Sequence, residues 1–467
     1  MARKQPNRLL AALLGEAAWS AAELARAVNE SGRPAGLPLC YGRTSVARWL
    51  TGSRPEPPVP DLVAAVLSRR TGRLVTADQT GLTLPGQATA VPVVPGGTAS
   101  GEAADRLISL SRSDVDPVRR VPLVNSSYSL APDTAPAWKP RRPRHGRLRG
   151  PGTRSMPEQV LPLREMSQVF ADLMERRGGA HARSALVAYL TDDVSHLLIT
   201  PMGCAVRREV FTSAAELTHQ LARMTMDAGY PGLAQRYFTT ALGLAQEADD
   251  RRIYAITLRA MSLQALHLGF HQHAWQLADT ATATAGPSTD PSTLAFLLSQ
   301  RAVAHARTRH HRQAISDLVT AEARYEGATS SAGPFDSYPR AGLDFQRGLA
   351  LHALGDSAQA VEALTASVAA RAGDRHRPSA LSHARLAAVL LSLGRLEESC
   401  LHWHAFLDHY PKLRLAPADQ AFWHLRKSLR NFRSQPQAAM VLHRARGVLR
   451  TKATPSARAR SARRDLV

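Results

Sequence analysis

The stretch AGYPGLAQRYFTTAL (228–242) is the first of five segments built on one pattern, in which a small residue precedes a turn and an Ala-containing apolar helix follows. Four later segments repeat it: LGFHQHAWQLADTA (268–281), TRHHRQAISDLVTA (308–321), LGDSAQAVEALTAS (354–367) and LGRLEESCLHWHAF (393–406). The equivalent small residues, spaced by 40, 40, 46 and 39 positions, are Ala234, Ala274, Ala314, Ala360 and Ser399. Self-similarity at this period predicts stacked helix–turn–helix units rather than a closed globule.

The turn carries a glycine in four of the segments and an arginine in the third; these residues are Gly229, Gly269, Gly355, Gly394 and Arg309. Glycine suits the left-handed backbone that commonly ends a helix. Each unit resembles a tetratricopeptide (TPR) repeat, and the resemblance implies an α-solenoid. The aromatic signature residues of that repeat are mostly absent, and the period exceeds the usual length of about 34 residues. The alternative is an irregular all-helical bundle.

Composition favours a helical protein with an acidic partner. Of the 467 residues 44% are hydrophobic and only 5% aromatic, and Ala and Leu dominate over strand-forming residues. A chain of this length suggests two or three domains. Lys and Arg number 59 against 38 Asp and Glu, which gives a net charge of +21. An excess of this size favours a polyanion, with nucleic acid first.

The cysteines and the hydropathy pattern predict a cytoplasmic protein. Cys40, Cys204 and Cys400 lie far apart, with the spacing of neither a disulfide framework nor a zinc site. No apolar run approaches the length of about 18 residues that a membrane-spanning helix needs. We therefore expect no membrane partner.

Residues 7–72 have the pattern of a compact helical unit. NRLLAALLGEA (7–17) places its leucines on one helical face, and Ser20 with Glu23 forms a capping box before AELARAVNE (22–30). TSVARWL (44–50) supplies apolar residues at helical spacing and is closed by a glycine. These three segments are expected to share one core.

This order of helices resembles the helix-turn-helix domain of phage repressors, with WSAAELARAVN (19–29) as positioning helix and TSVARWLTGSRP (44–55) as recognition helix. The resemblance implies that Ala25 allows close helix packing and that Val46 and Trp49 are core. It also implies that four side chains face double-stranded DNA, the first three toward base edges and the last toward a base or phosphate: Arg43, Thr44, Ser45 and Arg48.

One departure from the helix-turn-helix pattern leaves an alternative open. The connection SGRPAGLPLCYG (31–42) is far longer than the usual turn of three or four residues. It could carry its own contacts or disturb docking on DNA. The alternative is an interaction scaffold that sequesters another regulator and never binds DNA.

Three stretches are rich in Pro, Gly or basic residues. TLPGQATAVPVVPGGTASGE (83–102) has linker composition, whereas KPRRPRHGRLRG (139–150) and HRARGVLRTKATPSARARSARR (443–464) are runs of like charge. Such runs are expected to be disordered. They either lie along phosphates or serve as solvated spacers.

The whole chain resembles cytoplasmic bacterial regulators with a helix-turn-helix head and a TPR body, which control sporulation and antibiotic production. The resemblance includes SRSDV (111–115), GGAHARSALVAYL (178–190) and LAQRYFTTAL (233–242). It implies a transcriptional regulator of development or secondary metabolism, often a repressor. We predict an all-α protein in four parts: a helix-turn-helix DNA-binding domain (1–82), a flexible Pro/Gly-rich and basic linker (83–155), a TPR-like α-solenoid (156–433) and a basic, largely disordered tail (434–467).

A peptide or protein partner is expected on the concave face of the solenoid. Projecting the repeat register onto the first helix of each unit predicts seven exposed groove residues: Arg259, Gln300, Arg301, His305, Gln346, Arg347 and His383. Because arginine predominates, an acidic ligand would suit this groove. A homodimer is also expected, since helix-turn-helix heads usually read two half-sites.

No catalytic constellation stands out. The sequence lacks a phosphate-binding loop with Lys, an HExxH motif and a GxSxG elbow. His267 and His271 have the spacing of a metal pair, but no third ligand follows at useful distance. The histidine clusters are expected to be solvated turn or groove residues. We expect neither enzyme activity nor a cofactor nor a bound metal.

Overall fold

The computed structural model describes residues 6–32, 39–56, 59–71, 75, 78–82, 102–130, 138, 158, 160–286, 289–326, 338–371 and 373–464. Every regular element within these ranges is helical, so the protein is all-α. The predicted linker stretch 83–101 and the basic stretch 139–150 lie outside the described residues.

The α-helices below are those of the described ranges, given in chain order. In order they are α1 (Arg8–Ala17), α2 (Ala21–Gly32), α3 (Arg43–Leu50), α4 (Val59–Thr71), α5 (Glu102–Val115), α6 (Pro117–Val124), α7 (Leu161–Arg177), α8 (Arg183–Tyr189), α9 (Ser195–Ile199), α10 (Cys204–Asp227), α11 (Pro231–Ala248), α12 (Arg251–His267), α13 (His271–Ala285), α14 (Pro291–Arg307), α15 (His311–Glu326), α16 (Arg340–Leu354), α17 (Ser357–Ala369), α18 (His376–Ser392), α19 (Leu396–His409), α20 (Ala416–Ser428) and α21 (Pro436–Arg464).

The head comprises α1 to α4 and a 3-10 turn at Asp78–Thr80. Its leucine and valine faces meet in one core, in which Leu10, Leu24, Val28 and Leu67 are fully buried. The predicted capping box is confirmed, because the Ser20 N–H donates to Glu23 Oε2 at 2.8 Å and the Glu23 N–H donates to Ser20 Oγ at 3.3 Å. Satisfying these end groups fixes where α2 begins.

The body consists of five TPR-like helical hairpins: α10–α11, α12–α13, α14–α15, α16–α17 and α18–α19. The predicted small residues lie on the buried sides of the second helices. All five are fully buried, as predicted: Ala234, Ala274, Ala314, Ala360 and Ser399. Small contact residues allow the two backbones of each hairpin to approach closely, while leucines fill the layers between hairpins.

The turns between paired helices have the predicted left-handed backbone. The φ angles are 86° at Gly229, 85° at Gly269, 94° at Gly355 and 76° at Gly394. Arg309 adopts the same conformation at φ 63°, although a side chain disfavours it. The five hairpins therefore share one turn geometry.

The array closes on itself instead of remaining open. Helix α7 packs against α10 of the first hairpin and also against α18 of the fifth. Asp227, fully buried at the end of α10, accepts two hydrogen bonds from Arg377 of α18: Nε to Oδ2 at 2.8 Å and Nη2 to Oδ1 at 3.0 Å. The Arg414 N–H donates to the Arg177 carbonyl at 2.8 Å. The predicted solenoid of stacked hairpins is therefore confirmed, and α7 joins its first and fifth hairpins.

The linker prediction is wrong for residues 102–130, which are ordered. Helix α5 packs on α11 through Ala103, Ala104 and Leu107, all of which are buried. The carboxylate of Asp114 is fully buried and accepts a hydrogen bond from Tyr237 Oη at 2.7 Å, and Arg183 forms an ion pair with it. Residues 102–115 are ordered because the apolar face of α5 packs against the first hairpin.

Residues 126–130 continue from α6 as a strap across the second helices of the first two hairpins. Gln235 of α11 pairs with both backbone groups of Ser129: Ser129 N–H donates to Oε1 at 2.8 Å, and Nε2 donates to the carbonyl at 2.6 Å. The Tyr128 ring stacks on Phe270 at a centroid distance of 5.5 Å, and burial raises the Tyr128 pKa. Gly232 makes this approach possible, because a Cβ atom there would lie 2.1 Å from the Ser126 carbonyl oxygen.

The C-terminal segment also differs from the prediction of a largely disordered tail, because Pro436–Arg464 form the helix α21. Helix α21 packs on α19, with Ala438, Val441 and Ala445 fully buried. Arg444 forms an ion pair with Asp408 of α19. Alanine and valine at helical spacing thus anchor a segment whose overall charge suggested disorder.

Replacing Arg377 by Ala should destabilise the body strongly. The substitution leaves the fully buried Asp227 carboxylate without its guanidinium partner, a loss of about 3–5 kcal/mol. Urea unfolding followed by circular dichroism measures the change. The matched control is Arg395→Ala, which removes an exposed ion pair with Glu398 and should leave the midpoint unchanged. Equal midpoints for Arg377→Ala and the wild-type protein would contradict the closed array.

Replacing Gln235 by Ala should release the strap. Two hydrogen bonds to Ser129, each contributing about 1 kcal/mol, are lost, so chymotrypsin should cut at Tyr128 about tenfold faster or more. Mass spectrometry of timed native digests locates and quantifies the cut. Gln272→Ala, an exposed glutamine on α13, serves as the control. Unchanged cleavage at Tyr128 would show that Gln235 does not hold the strap.

Candidate functional site

Helix α3 presents one polar face and one buried face. Val46 and Trp49 are 0% and 4% exposed and face the core of the head, as predicted. Arg43, Thr44 and Arg48 are exposed. Ser45 is half-buried, and its Oγ accepts a hydrogen bond from the Gly42 N–H at 3.4 Å. The Ser45 hydroxyl group therefore helps to cap the N-terminus of α3. The four predicted DNA-binding residues thus lie on the outward side or N-terminal turn of one short helix.

The end of the long connection before α3 is fixed by contacts of Tyr41. Residues 33–38 lie outside the described part of the chain, but Asn29 of α2 binds both backbone groups of Tyr41. Asn29 Nδ2 donates to the Tyr41 carbonyl at 2.8 Å, and the Tyr41 N–H donates to Oδ1 at 2.9 Å. The Tyr41 ring meets Trp49 edge-on at 5.0 Å. These contacts fix the start of α3 relative to α2, whatever the length of the connection.

Sequence reasoning missed Asn29 as a positioning residue. An Asn near the end of a helix is ordinarily expected to cap that helix, whereas this one binds backbone twelve residues onward. The one sequence feature that could have indicated this role is the position of Asn29, a polar residue directly after the buried Val28.

The exit from α3 adds a further cation to the same region. Arg54 follows the helix and is exposed, and the Ser53 N–H donates to the Arg48 carbonyl at 2.9 Å, which tightens the turn. Arginine in such a position can bind phosphate oxygens or the O6 and N7 acceptors of guanine. The arrangement therefore has the chemistry that major-groove recognition needs.

The predicted groove residues are not a free concave surface. Arg259, Gln300, His305 and Gln346 are 9%, 0%, 8% and 5% exposed, so the prediction that they are exposed is wrong. The cause is that first helices pack on first helices: Gln346 Nε2 donates to Gln300 Oε1 at 3.0 Å, and Gln300 Nε2 donates to Ser262 Oγ at 3.2 Å. These amides therefore bind side chains of the adjacent first helices instead of facing a ligand.

The other predicted groove residues have separate roles. Arg301 forms two hydrogen bonds with Asp317, at 2.8 and 2.9 Å, and a third with Asp279 at 3.2 Å. His383 is half-buried against another histidine, and Arg347 is exposed. Arg301, Arg347 and His383 therefore do not line one shared surface for a ligand.

Four histidines form a seam between α18 and α19. The Nδ1 atoms of His376 and His409 lie 3.0 Å apart, and those of His383 and His402 lie 3.1 Å apart. All four are half-buried, so the prediction of solvated histidines is wrong for this cluster. Burial, together with the neighbouring ring, lowers the pKa of His383 to about 4, and burial lowers the pKa of the other three.

The histidine pairs do not extend to a metal site. Among the residues that the structure describes, no three His, Cys, Asp or Glu side chains converge on a point where a metal ion could be held. His267 is exposed and His271 half-buried. None of the described helices has both the length and the apolar character needed to cross a bilayer.

Comparisons with known proteins give one family match and one distant structural likeness. The family described as the SP15 N-terminal domain matches residues 10–83, which is the head. A search of curated proteins finds no match. The crystal structure of the APC/C hetero-tetramer Cut9-Hcn1 is similar at 18% identity and a TM-score of 0.33, over 62% of this chain. The alignment spans 47% of that chain, about half its length, and a score this low carries no argument about function.

Acidification should destabilise the body through the histidine seam. Because the folded state lowers these pKa values, the unfolded chain binds more protons between pH 6.5 and the lowered values. The free energy of unfolding that depends on these neutral histidines is therefore fully present above about pH 6.5. It is lost as the pH falls toward about 4. Nearby charges shift these pKa values only secondarily; they are Arg177, Arg371, Asp374, Glu398, Asp408 and Lys412.

Thermal unfolding between pH 7.5 and 4.5 measures this dependence. The double variant His383→Gln/His409→Gln removes one ring from each pair and should flatten the curve. His311→Gln, at an exposed position of α15, is the control and should leave it unchanged. Parallel curves for the double variant and the wild-type protein would show that the seam does not titrate.

Proposed function

We propose that the protein is a transcriptional regulator that binds double-stranded DNA through α3. The observation that carries the proposal is the division of this helix into a buried apolar side and an outward side with Arg43, Thr44 and Arg48. A short helix that offers basic and small polar groups at its N-terminal end fits the major groove. The net charge of +21 adds a favourable, salt-dependent attraction to any duplex.

The four side chains take different parts in this proposal. Arg43 and Arg48 have the reach and geometry for bidentate contact with guanine or for phosphate binding, and Thr44 fits contact with a base edge. Ser45 caps α3 and therefore contributes less to base recognition. Each good bidentate contact is worth about 1–3 kcal/mol of discrimination between bases.

The process that the protein regulates is proposed on the resemblance of the whole chain alone. The chain resembles regulators with a helix-turn-helix head and a TPR body. On that resemblance we propose a cytoplasmic repressor of sporulation or antibiotic production that binds two DNA half-sites as a homodimer. The match of residues 10–83 to the SP15 N-terminal domain supports treating the head as one unit. Its description names no ligand.

The TPR-like body is proposed to bind a peptide or protein partner that changes the availability of the head. Helical arrays of this class offer extended surfaces for protein interaction. With the inner face largely occupied, the outer face becomes the better candidate. Ile315 and Val319, one turn apart on α15, are 44% and 64% exposed, and exposed neighbouring apolar side chains favour a protein contact.

Substituting both arginines of α3 should abolish selective DNA binding. Arg43→Ala/Arg48→Ala removes two exposed contacts and should weaken retention of the preferred genomic fragments about 30-fold or more. Fragments that the wild-type protein retains at physiological salt are identified by sequencing and then compared in mobility shifts. Arg347→Ala removes an exposed arginine of the body and is the control.

The same experiment separates the regulator from the interaction scaffold. Selective retention by the wild-type protein and the control, lost in the double variant, supports the regulator. Retention without fragment preference that disappears at moderate salt, in all three proteins alike, supports a scaffold with non-specifically basic segments.

A further inference from the structure

A group of charged side chains meets inside the closed array. We name it the inner cluster; it comes from α7, α10, α12, α18 and the turn before α18, and its members are Glu175, Arg223, Asp227, Arg259, Arg371 and Arg377. Closure of the array by α7 brings these residues together, since they lie up to about 200 positions apart in sequence. The cluster holds four guanidinium groups and two carboxylates.

The two carboxylates are engaged mainly by one arginine. Arg377 binds Asp227 with both Nε and Nη2, and its Nη1 lies 3.8 Å from Glu175 Oε1. The same Glu175 oxygen lies 3.9 Å from Arg223 Nη2, beyond hydrogen-bond distance. Asp227 thus pairs mainly with Arg377, and Glu175 is shared between Arg377 and Arg223, so two carboxylates face four guanidinium groups.

Arg259 and Arg371 are held by neutral groups. Arg259 is 9% exposed; its guanidinium lies over the Phe296 ring at 3.7 Å, and Nε donates to the Phe296 carbonyl at 3.4 Å. Arg371 Nε donates to Ser382 Oγ at 2.8 Å, and Nη2 donates to the Ala341 carbonyl at 3.2 Å. Within the described part of the chain, neither guanidinium forms an ion pair.

Burying cations in excess of anions is costly, and the pKa values reflect it. Burial lowers the pKa of Arg259 to about 10, with Arg223 adding to the effect. Burial and then the charge of Arg377 lower the pKa of Arg223. An anion bound among these groups would remove both penalties, since charges inside proteins are ordinarily paired. Solvent still reaches the cluster, because 30% of the Arg223 side chain is exposed.

We propose that the inner cluster is a binding site for a small molecule that carries a doubly charged oxyanion group, and that Arg223, Arg259 and Arg371 are its ligands. Guanidinium groups bind phosphate and carboxylate oxygens in a bidentate manner, and two net positive charges match a phosphate group or a pair of carboxylates. A closed array admits a small molecule more readily than a folded partner. Such a ligand would be the effector of the regulator, a role that rests on the proposed function.

Thermal unfolding of the full-length protein with added anions tests this site without DNA. Inorganic phosphate, pyrophosphate and succinate are compared with sodium chloride at equal ionic strength. At least one of the three should raise the Tm of the wild-type protein by about 5 °C at saturation. A response to phosphate or pyrophosphate alone identifies a phosphate-bearing ligand, and a response to succinate alone identifies a dicarboxylate.

Two variants make the test specific to the cluster. Arg223→Gln and Arg259→Gln each remove one excess positive charge, so neither should lower the Tm without anion, and both should lose most of the anion-induced rise. Arg347→Gln, exposed on α16, should keep the full rise. No rise in the wild-type protein, or an undiminished rise in both cluster variants, would overturn the proposal. Either failure leaves selective DNA retention, measured separately, unaffected.

Discussion

The ion pair between Asp227 and Arg377 determines the form of the body. Each partner lies on a different hairpin, the first and the fifth, and 150 positions separate them in sequence. Burial opposes the charge of Arg377, but the Asp227 carboxylate outweighs this effect and raises the arginine pKa. A fully buried carboxylate needs such a partner, so the two ends of the array are held together. Without that pairing, the first and fifth hairpins would lose the ion pair that joins them directly.

Closure has consequences for both surfaces of the array. It brings α7 against both the first and the fifth hairpin, in addition to the contacts between adjacent first helices, such as that of Gln300 with Gln346. It also gathers arginines that an open array would keep apart in solvent. The strap, by contrast, is held by Gln235 of α11 and by the ring of Phe270, which directly precedes α13. Residues 102–130 are thus part of the body's structure, and a partner that displaced the strap would alter how these residues are held.

The hairpins could be predicted from sequence because their determinants are local and repeated. Ala234 and its equivalents recur with every unit, and Gly229 marks a turn whose left-handed backbone few other residues adopt readily. The same reasoning predicted the two faces of α3, because Val46 and Trp49 have helical spacing. The exposure of the groove residues could not be predicted, since it depends on how adjacent first helices pack. Contacts such as Asn29 to Tyr41, and above all Asp227 to Arg377, leave no periodic signal in the sequence.

Hydrogen exchange at the closure tests the account most directly. The Arg414 N–H donates to the Arg177 carbonyl at 2.8 Å and the Ala180 N–H donates to the Arg414 carbonyl at 3.3 Å, and these bonds exist only if α7 joins the first and the last hairpin. Exchange measured by mass spectrometry on peptides spanning 177–182 and 410–416 should be as slow as in the helices of the first hairpin. Exchange as fast as in an unstructured peptide would show that the array is open and that its inner surface faces solvent.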